Sequence, residues 1–256
     1  MNQQYRGFWL GILLLSLATV SPASAKDRAK NQTAITKEQA DAILNELKQI
    51  HLLLADQQKA GTIGANPAPP PVRVKLSEGG YSLGRLDAPL TLVEFSDYQC
   101  PFCEQFQAKT FQELRKNYID TGKLRFVARD LPLDFHTHAL PAAQAAWCGG
   151  EQGKYWEIRD VLAKHPNQLE PDAILDYGRQ LGLDMPRFRT CMDKQEFLPQ
   201  INKEIAEAQT LGISGTPSFV LGKTDKSGIE GTLLVGTMPY TSLDEKMRDL
   251  LSPETK

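Results

Sequence analysis

Two cysteines, with two residues between them, stand where a strand-like segment passes into a helix-like one. The run Cys100-Pro101-Phe102-Cys103 follows the apolar segment 90–95 and opens the segment 101–118, whose apolar residues have helical spacing. A helix that begins here sets the Cys100 sulfur beside unpaired backbone N–H groups and the positive end of the helix dipole. Pro101 suits the first helical position, where its missing N–H leaves no hydrogen bond unmade.

This setting predicts a redox-active dithiol. A cysteine at a helix N-terminus has a pKa below its usual range, so we expect Cys100 to be the exposed and reactive thiol. Cys103 lies one turn deeper, nearer the core, and should be harder to ionise. One thiol is then a good leaving group, and the other resolves the intermediate that it forms.

A CxxC pair is also half of many zinc sites, so the other two cysteines bear on the assignment. A structural zinc ion needs four ligands, whereas Cys148 and Cys191 are far apart and form no second CxxC. The run His136-Thr137-His138 has no carboxylate-rich cluster beside it. We therefore expect no metal and no cofactor.

The first 25 residues have the form of a secretory signal peptide. Arg6 precedes the apolar run 8–20, and Ala23-Ser24-Ala25 has the pattern of a cleavage site. The apolar run is short for a bilayer span of about 20 residues, and an uncleaved membrane anchor is the alternative. We expect cleavage after Ala25 and export to an oxidising compartment, which is the periplasm if the source is bacterial.

Residues 26–60 are expected to contain a helix over 36–58, followed by a proline-rich linker over 61–71. Five apolar residues recur at alternating spacings of three and four, as in a heptad seam, and they are Ala40, Ile43, Leu47, Ile50 and Leu54. Thr36 and Gln39 have the spacing of a capping box. The helix either packs back onto its own domain or joins two or three chains, with a dimer favoured.

The rest of the chain reads as an α/β domain with a helical insertion. Strands at 90–95 and 124–128, joined by the helix 101–118, predict a parallel pair with a right-handed crossover. Helical spacing then covers 139–147, 154–163, 172–181 and 198–211, before a predicted hairpin of 218–221 with 232–235 and a final helix over 241–251. The expected regions are 72–138, the all-helical insert 139–210, and 211–256.

Two motifs carry a resemblance to a known family. The segment from Glu94 to Cys103, EFSDYQCPFC, resembles the active-site segment of DsbA-type thiol:disulfide oxidoreductases of the thioredoxin superfamily. The run Gly215-Thr216-Pro217-Ser218-Phe219 resembles their cis-proline loop. The likeness covers about 75–252. It implies a thioredoxin fold with an inserted all-helical subdomain, here preceded by an N-terminal helix.

The resemblance also implies roles for individual residues. Cys100 would be the nucleophile and Cys103 the resolving thiol, with Pro217 as a cis-proline beside the disulfide and Thr216 offering its backbone to a substrate peptide. The family pattern has a buried acid at Glu94, which would accept the Cys103 proton. Alternation within the strand leaves a solvent-facing Glu94 equally open.

Two positions depart from the strongest oxidases of the family. Phe102, which with Pro101 would face the substrate, stands where those oxidases carry a histidine. Because phenylalanine supplies no positive charge, we expect a higher Cys100 pKa and a less oxidising disulfide than theirs. Thr216 before the proline is more typical of isomerase relatives. The balance between oxidation and isomerisation therefore stays open.

Cys148 and Cys191 both fall within the predicted insert. In an oxidising compartment two leftover cysteines are expected to pair as a structural disulfide. Two buried free thiols, or a second redox site, are the alternatives.

These observations predict a secreted thiol:disulfide oxidoreductase that forms or isomerises disulfides in exported proteins. The expected partners are unfolded or misoxidised clients, a membrane redox partner of the DsbB or DsbD type, and further copies of the chain bound through 36–58. A net charge of −2 gives no electrostatic footprint for nucleic acid. The alternatives are a non-catalytic client-binding chaperone and a Cu(I)-handling thioredoxin-like protein.

Overall fold

The computed structural model describes residues 36–60, 71–74, 80–225 and 228–252, with side chains omitted over 51–60. The expected signal peptide 1–25 and all but the last residue of the expected linker 61–71 lie outside these ranges. The chain divides into two compact units, Met1–Ala68 and Pro69–Lys256. Within the described ranges, no helix combines the length and the apolar composition that crossing a membrane requires.

In the first unit, helix α1 runs over Lys37–Ala60, close to the predicted 36–58. The predicted capping box is confirmed: the Gln39 N–H donates to Thr36 Oγ1 at 3.2 Å, and the Thr36 N–H donates to Gln39 Oε1 at 3.1 Å. Four apolar side chains of α1 are about half exposed, namely Ile43, Leu44, Leu47 and Ile50. The side chain of Leu54, the last member of the predicted seam, lies outside the described part.

The second unit is built on a six-stranded sheet of order β1-β6-β5-β3-β4-β2. The strands are β1 Val72–Val74, β2 Ser82–Leu83, β3 Leu90–Ser96, β4 Leu124–Asp130, β5 Ser218–Asp225 and β6 Gly228–Val235. The predicted parallel pairing of β3 with β4 and the predicted antiparallel hairpin of β5 with β6 are both confirmed. The edge strands β1 and β2 were not predicted, because two or three residues show no periodicity.

Helix α2 spans 101–119 and joins β3 to β4. It differs from the predicted α-helix in that two of its turns, Phe106–Thr110 and Arg115–Ile119, are π-helical. The remaining helices are α3 Ala139–Gly150, α4 Tyr155–Lys164, α5 Pro171–Gln180, α6 Met185–Asp193, α7 Leu198–Thr210 and α8 Tyr240–Leu251. Helices α3 to α7 form the predicted insert.

Helix α6 is the element of the insert that the sequence pattern missed. A proline often marks a break between helices, but Pro186 lies in the first turn of α6, where proline is tolerated. The Asp184 carboxylate caps this turn by accepting from the Arg187 N–H at 3.1 Å. The same proline therefore starts a helix rather than ending one.

Both faces of the central strand β3 are covered, so alternation sends its side chains into two separate cores. Leu90 and Leu92 pack in the larger core, together with α2 and the helices of the insert. Val93 and Phe95 pack in a smaller core on the opposite face. Glu94, two residues beyond Leu92, therefore points toward the insert. This geometry decides the environment of the acid.

A disulfide joins Cys148 of α3 to Cys191 of α6, with a Cα–Cα distance of 5.9 Å. Both residues are buried, and the bond closes a sequence separation of 43 residues within the insert. Such a cross-link restricts the unfolded chain and so favours the folded state.

Replacing both cysteines, as C148A/C191A, should lower the free energy of unfolding by about 2–4 kcal/mol, because the unfolded chain regains its freedom. Urea unfolding measures this. The comparison is best made in a C100A/C103A background, which leaves the Cys148–Cys191 bond as the single difference. An unchanged unfolding midpoint would contradict a stabilising role.

Candidate active site

Cys100 is the N-cap of α2, at the point where β3 has ended and the chain turns into the helix. Its backbone is extended, and its carbonyl accepts from the N–H groups of Cys103 at 3.0 Å and Glu104 at 3.1 Å. Pro101 occupies the first turn, as predicted. The backbone N–H of Cys100 is itself held by the Asp97 carbonyl at 3.2 Å. The sulfur therefore starts its helix in a defined position.

Hydrogen bonds to the Cys100 sulfur favour its ionised form. The largest contribution comes from the Cys103 thiol, followed by the Thr216 side chain and the backbone N–H groups of Cys103 and Phe102. Together they outweigh burial and lower the pKa of Cys100 to about 5. The Phe102 ring supplies no charge to this balance. That Cys100 is less acidic than the cysteine of a histidine-bearing oxidase stays a prediction.

The pKa of Cys103 is shifted in the opposite direction, upward. Burial raises the pKa of its thiol, and so do the hydrogen bond that it donates to Cys100 and the negative charge of Glu94. At neutral pH the pair is one thiolate and one thiol, with the proton on Cys103. This is the division of roles that thiol–disulfide exchange requires.

The expected difference in exposure between the two cysteines is wrong. Cys100 is 4% exposed and Cys103 is 5% exposed. The reason is the loop before β5, whose Thr216 carbonyl accepts from the Cys100 thiol at 3.3 Å and so lies over the sulfur. The pKa values of the two thiols differ because burial dominates at Cys103, whereas hydrogen bonds to the sulfur dominate at Cys100.

The loop that covers Cys100 contains a cis peptide bond between Thr216 and Pro217. The Pro217 carbonyl accepts from the Gly236 N–H at 2.9 Å, and the Ser218 hydroxyl donates to the Gly215 carbonyl at 2.7 Å. While Cys100 is a thiol, the buried Thr216 hydroxyl oxygen has no hydrogen-bond partner among the described atoms. It is therefore available to donate to the thiolate.

Glu94 is buried on β3 and forms an ion pair that the sequence analysis did not foresee. Its Oε2 accepts from Arg159 Nη2 at 2.5 Å, and both side chains are 5% exposed or less. Burial raises the pKa of Glu94, and the Arg159 charge opposes this. Arg159 belongs to α4 of the insert, and no spacing within the sequence links it to Glu94.

Asp97 and Gln99 tie the turn before Cys100 to the loop after β4. The Asp97 carboxylate accepts from the Leu133 N–H at 2.7 Å and contacts His136 Nδ1 at 2.9 Å. Gln99 Oε1 accepts from the His138 N–H at 2.5 Å. His136 and His138 therefore hold the active-site turn against the loop after β4. No metal-binding group of three or more His, Cys, Asp or Glu residues occurs in the part of the chain that the structure describes.

Two further buried acids lie near this end of the sheet. Asp130 ends β4 in register with Ser96 of β3 and accepts from Trp147 Nε1 at 2.8 Å. Glu204 of α7 accepts from the Asp130 N–H at 2.7 Å. Burial raises the pKa of Asp130 to about 6 and that of Glu204 to about 8. The position of Asp130, where a parallel strand ends, was the one signal in the sequence that could have found it.

Comparison with known proteins places this site in a family. A family described as thioredoxin matches residues 76–228, which include the CxxC and the cis-proline loop. The chain belongs to the thioredoxin family. Within that family its fold is of the DsbA type, as expected, with the helical insertion between the two parts of the sheet.

Solved structures of the same fold include α-DsbA1 of Wolbachia pipientis, with 24% identity, a TM-score of 0.63, and coverage of 69% of this chain and 93% of that one. BdbD of Bacillus subtilis has 24% identity and a TM-score of 0.60 over 72% of this chain and 99% of its own. A thioredoxin-like oxidoreductase of Silicibacter pomeroyi has 29% identity and a TM-score of 0.55 over 68% and 92%.

Curated relatives of this thioredoxin-family chain include two named as Na(+)/H(+) antiporters. NhaA 1 of Salinispora arenicola is 33% identical over 177 residues, which is 68% of this chain and 26% of the antiporter. NhaA 3 of Salinispora tropica is 37% identical over 137 residues, 53% of this chain and 20% of the antiporter. This chain thus spans about a quarter or less of these two proteins.

Ultraviolet absorbance of the reduced protein should report a Cys100 thiolate with a midpoint near pH 5. T216V removes one donor and should raise that midpoint, whereas T190V, which loses an exposed hydroxyl on α6, should leave it unchanged. Relative to the unfolded chain, the stabilisation from the thiolate is complete above the usual cysteine pKa. It is lost as the pH falls through the folded value. A midpoint near the ordinary value of about 8.5 would contradict this assignment.

Proposed function

We propose that this protein is a secreted thiol:disulfide oxidoreductase that forms or isomerises disulfides in exported proteins through Cys100 and Cys103. One observation carries the proposal: a thiolate at the first turn of α2 shares a hydrogen bond with a thiol one turn deeper, under a cis-proline loop. A low thiol pKa makes Cys100 a good leaving group, and it stabilises the reduced form relative to the disulfide.

As an oxidase, the protein starts with a Cys100–Cys103 disulfide. A client thiolate attacks Cys100 Sγ, the Cys100–Cys103 bond breaks, and Cys103 leaves and takes up a proton. A second client thiolate then attacks the client sulfur of the mixed disulfide and releases the Cys100 thiolate. The client gains a disulfide, and the protein gains the two electrons.

As an isomerase, the protein starts reduced. The Cys100 thiolate attacks a wrong client disulfide, and the client thiolate that is released attacks elsewhere in the client. Where this stalls, Cys103 gives up its proton and attacks Cys100 Sγ, which frees the client in reduced form. Glu94 is proposed to accept that proton, since it is buried with Cys103 and its charge acts on the thiol.

Apolar surface around the thiolate supports binding of an unfolded client. The side chains of Phe102 and Val235 are 58% and 69% exposed. Phe102 adjoins Cys100, while Val235 is in register with Ser218, the residue after Pro217. An extended peptide would pair with the Thr216 backbone and lay apolar side chains on this surface, with Pro101 and Phe102 at its edge.

Export to the periplasm and reoxidation are part of the same proposal. The signal-like segment 1–25 supports export, and the Cys148–Cys191 disulfide fits an oxidising compartment. Each client disulfide formed leaves the protein reduced, so a membrane partner of the DsbB type would have to remove the electrons. In the isomerase role, a partner of the DsbD type would instead supply them.

Self-association through α1 is the last part of the proposal. The exposed side chains of Ile43, Leu47 and Ile50 follow the heptad spacing, which suits a seam with a second α1. Most of the stability of a helix in a protein comes from packing of its apolar face, so a partner helix would stabilise α1. Two active sites in one assembly would suit isomerisation, where one client needs repeated attack.

The reaction is tested by incubating the oxidised protein with a reduced, unfolded client and counting client disulfides. C100A should abolish disulfide formation, and in the reduced protein C103S should accumulate the mixed disulfide, because no internal thiol displaces the client. If C100A keeps full activity, the protein is a non-catalytic binder. Stoichiometric metal retained after dialysis against a chelator would favour Cu(I) handling instead.

The balance of roles is tested by alkylating the protein in cells at the moment of lysis. A pair that is mostly oxidised favours the oxidase, and a pair that is mostly reduced favours the isomerase. The same measurement in cells without a reoxidising partner should show the pair shifting toward the reduced form.

Light scattering should give a molar mass larger than that of one mature chain. L47K places a charge in the seam and should yield the monomer, while Q49K, an exposed polar position of the same helix, should not. A mature chain that is monomeric at micromolar concentration would contradict assembly through α1.

A further inference from the structure

Arg159 is a buried cation of the second unit that lines the same small pocket as Cys103. It extends from α4 of the insert, and its guanidinium donates to Glu94 Oε2 at 2.5 Å and to Gln107 Oε1 at 3.1 Å. It also lies over the rings of Phe126 and Trp156, 5.7 Å and 5.6 Å from their centroids. These two hydrogen bonds and the contacts with the two rings together hold the guanidinium in one orientation.

The ion pair and the resolving thiol share one environment. A small pocket has both Cys103 and Arg159 in its wall, with the remaining lining from Ser96, Asp97, Tyr98, Glu104, Gln107 and Ala163. Glu94 acts electrostatically on Cys103, because its negative charge raises the pKa of that thiol. A change in the ionisation of Glu94 therefore changes the pKa of Cys103, the thiol that must lose a proton.

A carboxyl group in such a place tends to hold its proton. Burial is the largest influence on Glu94 and raises its pKa, the charge of Cys100 adds to this, and the charge and hydrogen bond of Arg159 oppose it. Around this pair lie further titratable groups: Cys103 and Tyr98 on the active-site side, and Asp130 and Tyr155 facing Arg159. Among these groups, Arg159 is the cation.

We propose that Arg159 is a positioning residue that keeps Glu94 ionised and oriented, so that the carboxylate can take the proton of Cys103. The inference rests on the proposed function, since it concerns the step in which Cys103 releases the client. In that step the Cys103 proton passes to Glu94, and the Cys103 sulfur bonds to Cys100 Sγ. The bond from Cys100 to the client breaks, and the client leaves as a thiolate. Two electrons pass to the client.

A purely structural role for Arg159 makes a different prediction. If the pair only supports packing, its loss lowers stability and slows release by the same factor at every pH. If the pair keeps the base ionised, its loss moves the pH at which release becomes fast. The pH profile therefore separates the two roles, whatever the change in stability.

The test follows release of a fluorescent peptide from its mixed disulfide with Cys100, using the mature chain. Reduced protein is mixed with a peptide disulfide at rising concentration, and the rate that no longer depends on concentration reports the Cys103 step. R159Q keeps a hydrogen-bonding side chain and removes the charge. Its midpoint for the acid limb of this rate should lie about one to three pH units above the wild-type value, the usual effect of an opposite charge.

Four further variants complete the design. R159K retains the charge, so its midpoint should return most of the way to the wild-type value. This variant also covers the case that R159Q folds poorly. E94Q should lose the acid limb, and E94Q/R159Q should have the same profile as E94Q. K164M removes an exposed lysine of the same helix and should leave the midpoint unchanged.

A wild-type midpoint in R159Q would overturn the inference, and so would a midpoint in R159K as far displaced as in R159Q. A difference between the profiles of E94Q and E94Q/R159Q would do the same, because the effect of Arg159 would then bypass Glu94. Failure of the proposed function has a separate sign: wild-type protein would release no peptide, or C100A would release it equally well.

Discussion

A sulfur anion held at the first turn of a helix is the interaction on which the rest of the site depends. Cys100 is favoured as a thiolate because it receives hydrogen bonds from Cys103, Thr216 and the backbone of α2. The proton stays on Cys103, because burial and the hydrogen bond to Cys100 both disfavour a second anion. Two chemically identical residues, one helical turn apart, thus acquire opposite roles.

The covering of both faces of β3 is the second constraint. A sheet with one face in water would leave Glu94 solvated, with a pKa close to that of a free carboxyl group. The insert instead seals the face that carries Leu90, Leu92 and Glu94, and it brings Arg159 to the acid. Buried ion pairs add little stability compared with apolar residues of the same volume. The position of this pair, beside the resolving cysteine, fits a role in the reaction better than a role in stability.

Much of the fold could be predicted from local pattern. The strands β3 to β6, the crossover helix α2, four helices of the insert and α8 follow from periodicity and breaker residues. The errors have local causes. Edge strands β1 and β2 are too short for a period, and Pro186 signals a helix start as readily as a helix end. The two π-helical turns of α2 could not be predicted, because the spacing of apolar residues does not distinguish a π-helical turn from an α-helical one.

The candidate site divides in the same way. Cys100, Pro101 and Cys103 could be found because a strand-to-helix junction is a local feature, with its chemistry already in the residues. The likeness to a known family added Glu94, Thr216 and Pro217. The contacts of Glu94 with Arg159, of Asp97 with His136, and of Asp130 with Glu204 join residues far apart in the chain. No spacing rule predicts such pairs.

The sequence by itself determined the order of most of the elements, where the reactive dithiol lies, and which face of α1 is apolar. These properties depend on residues within a few positions of one another, whose steric and hydrogen-bonding preferences act locally. Only the tertiary structure decided that both cysteines are covered, and that an arginine of the insert pairs with the buried acid Glu94. Those outcomes depend on burial and on charges brought together across the fold, and burial is a property of the packed chain rather than of any segment.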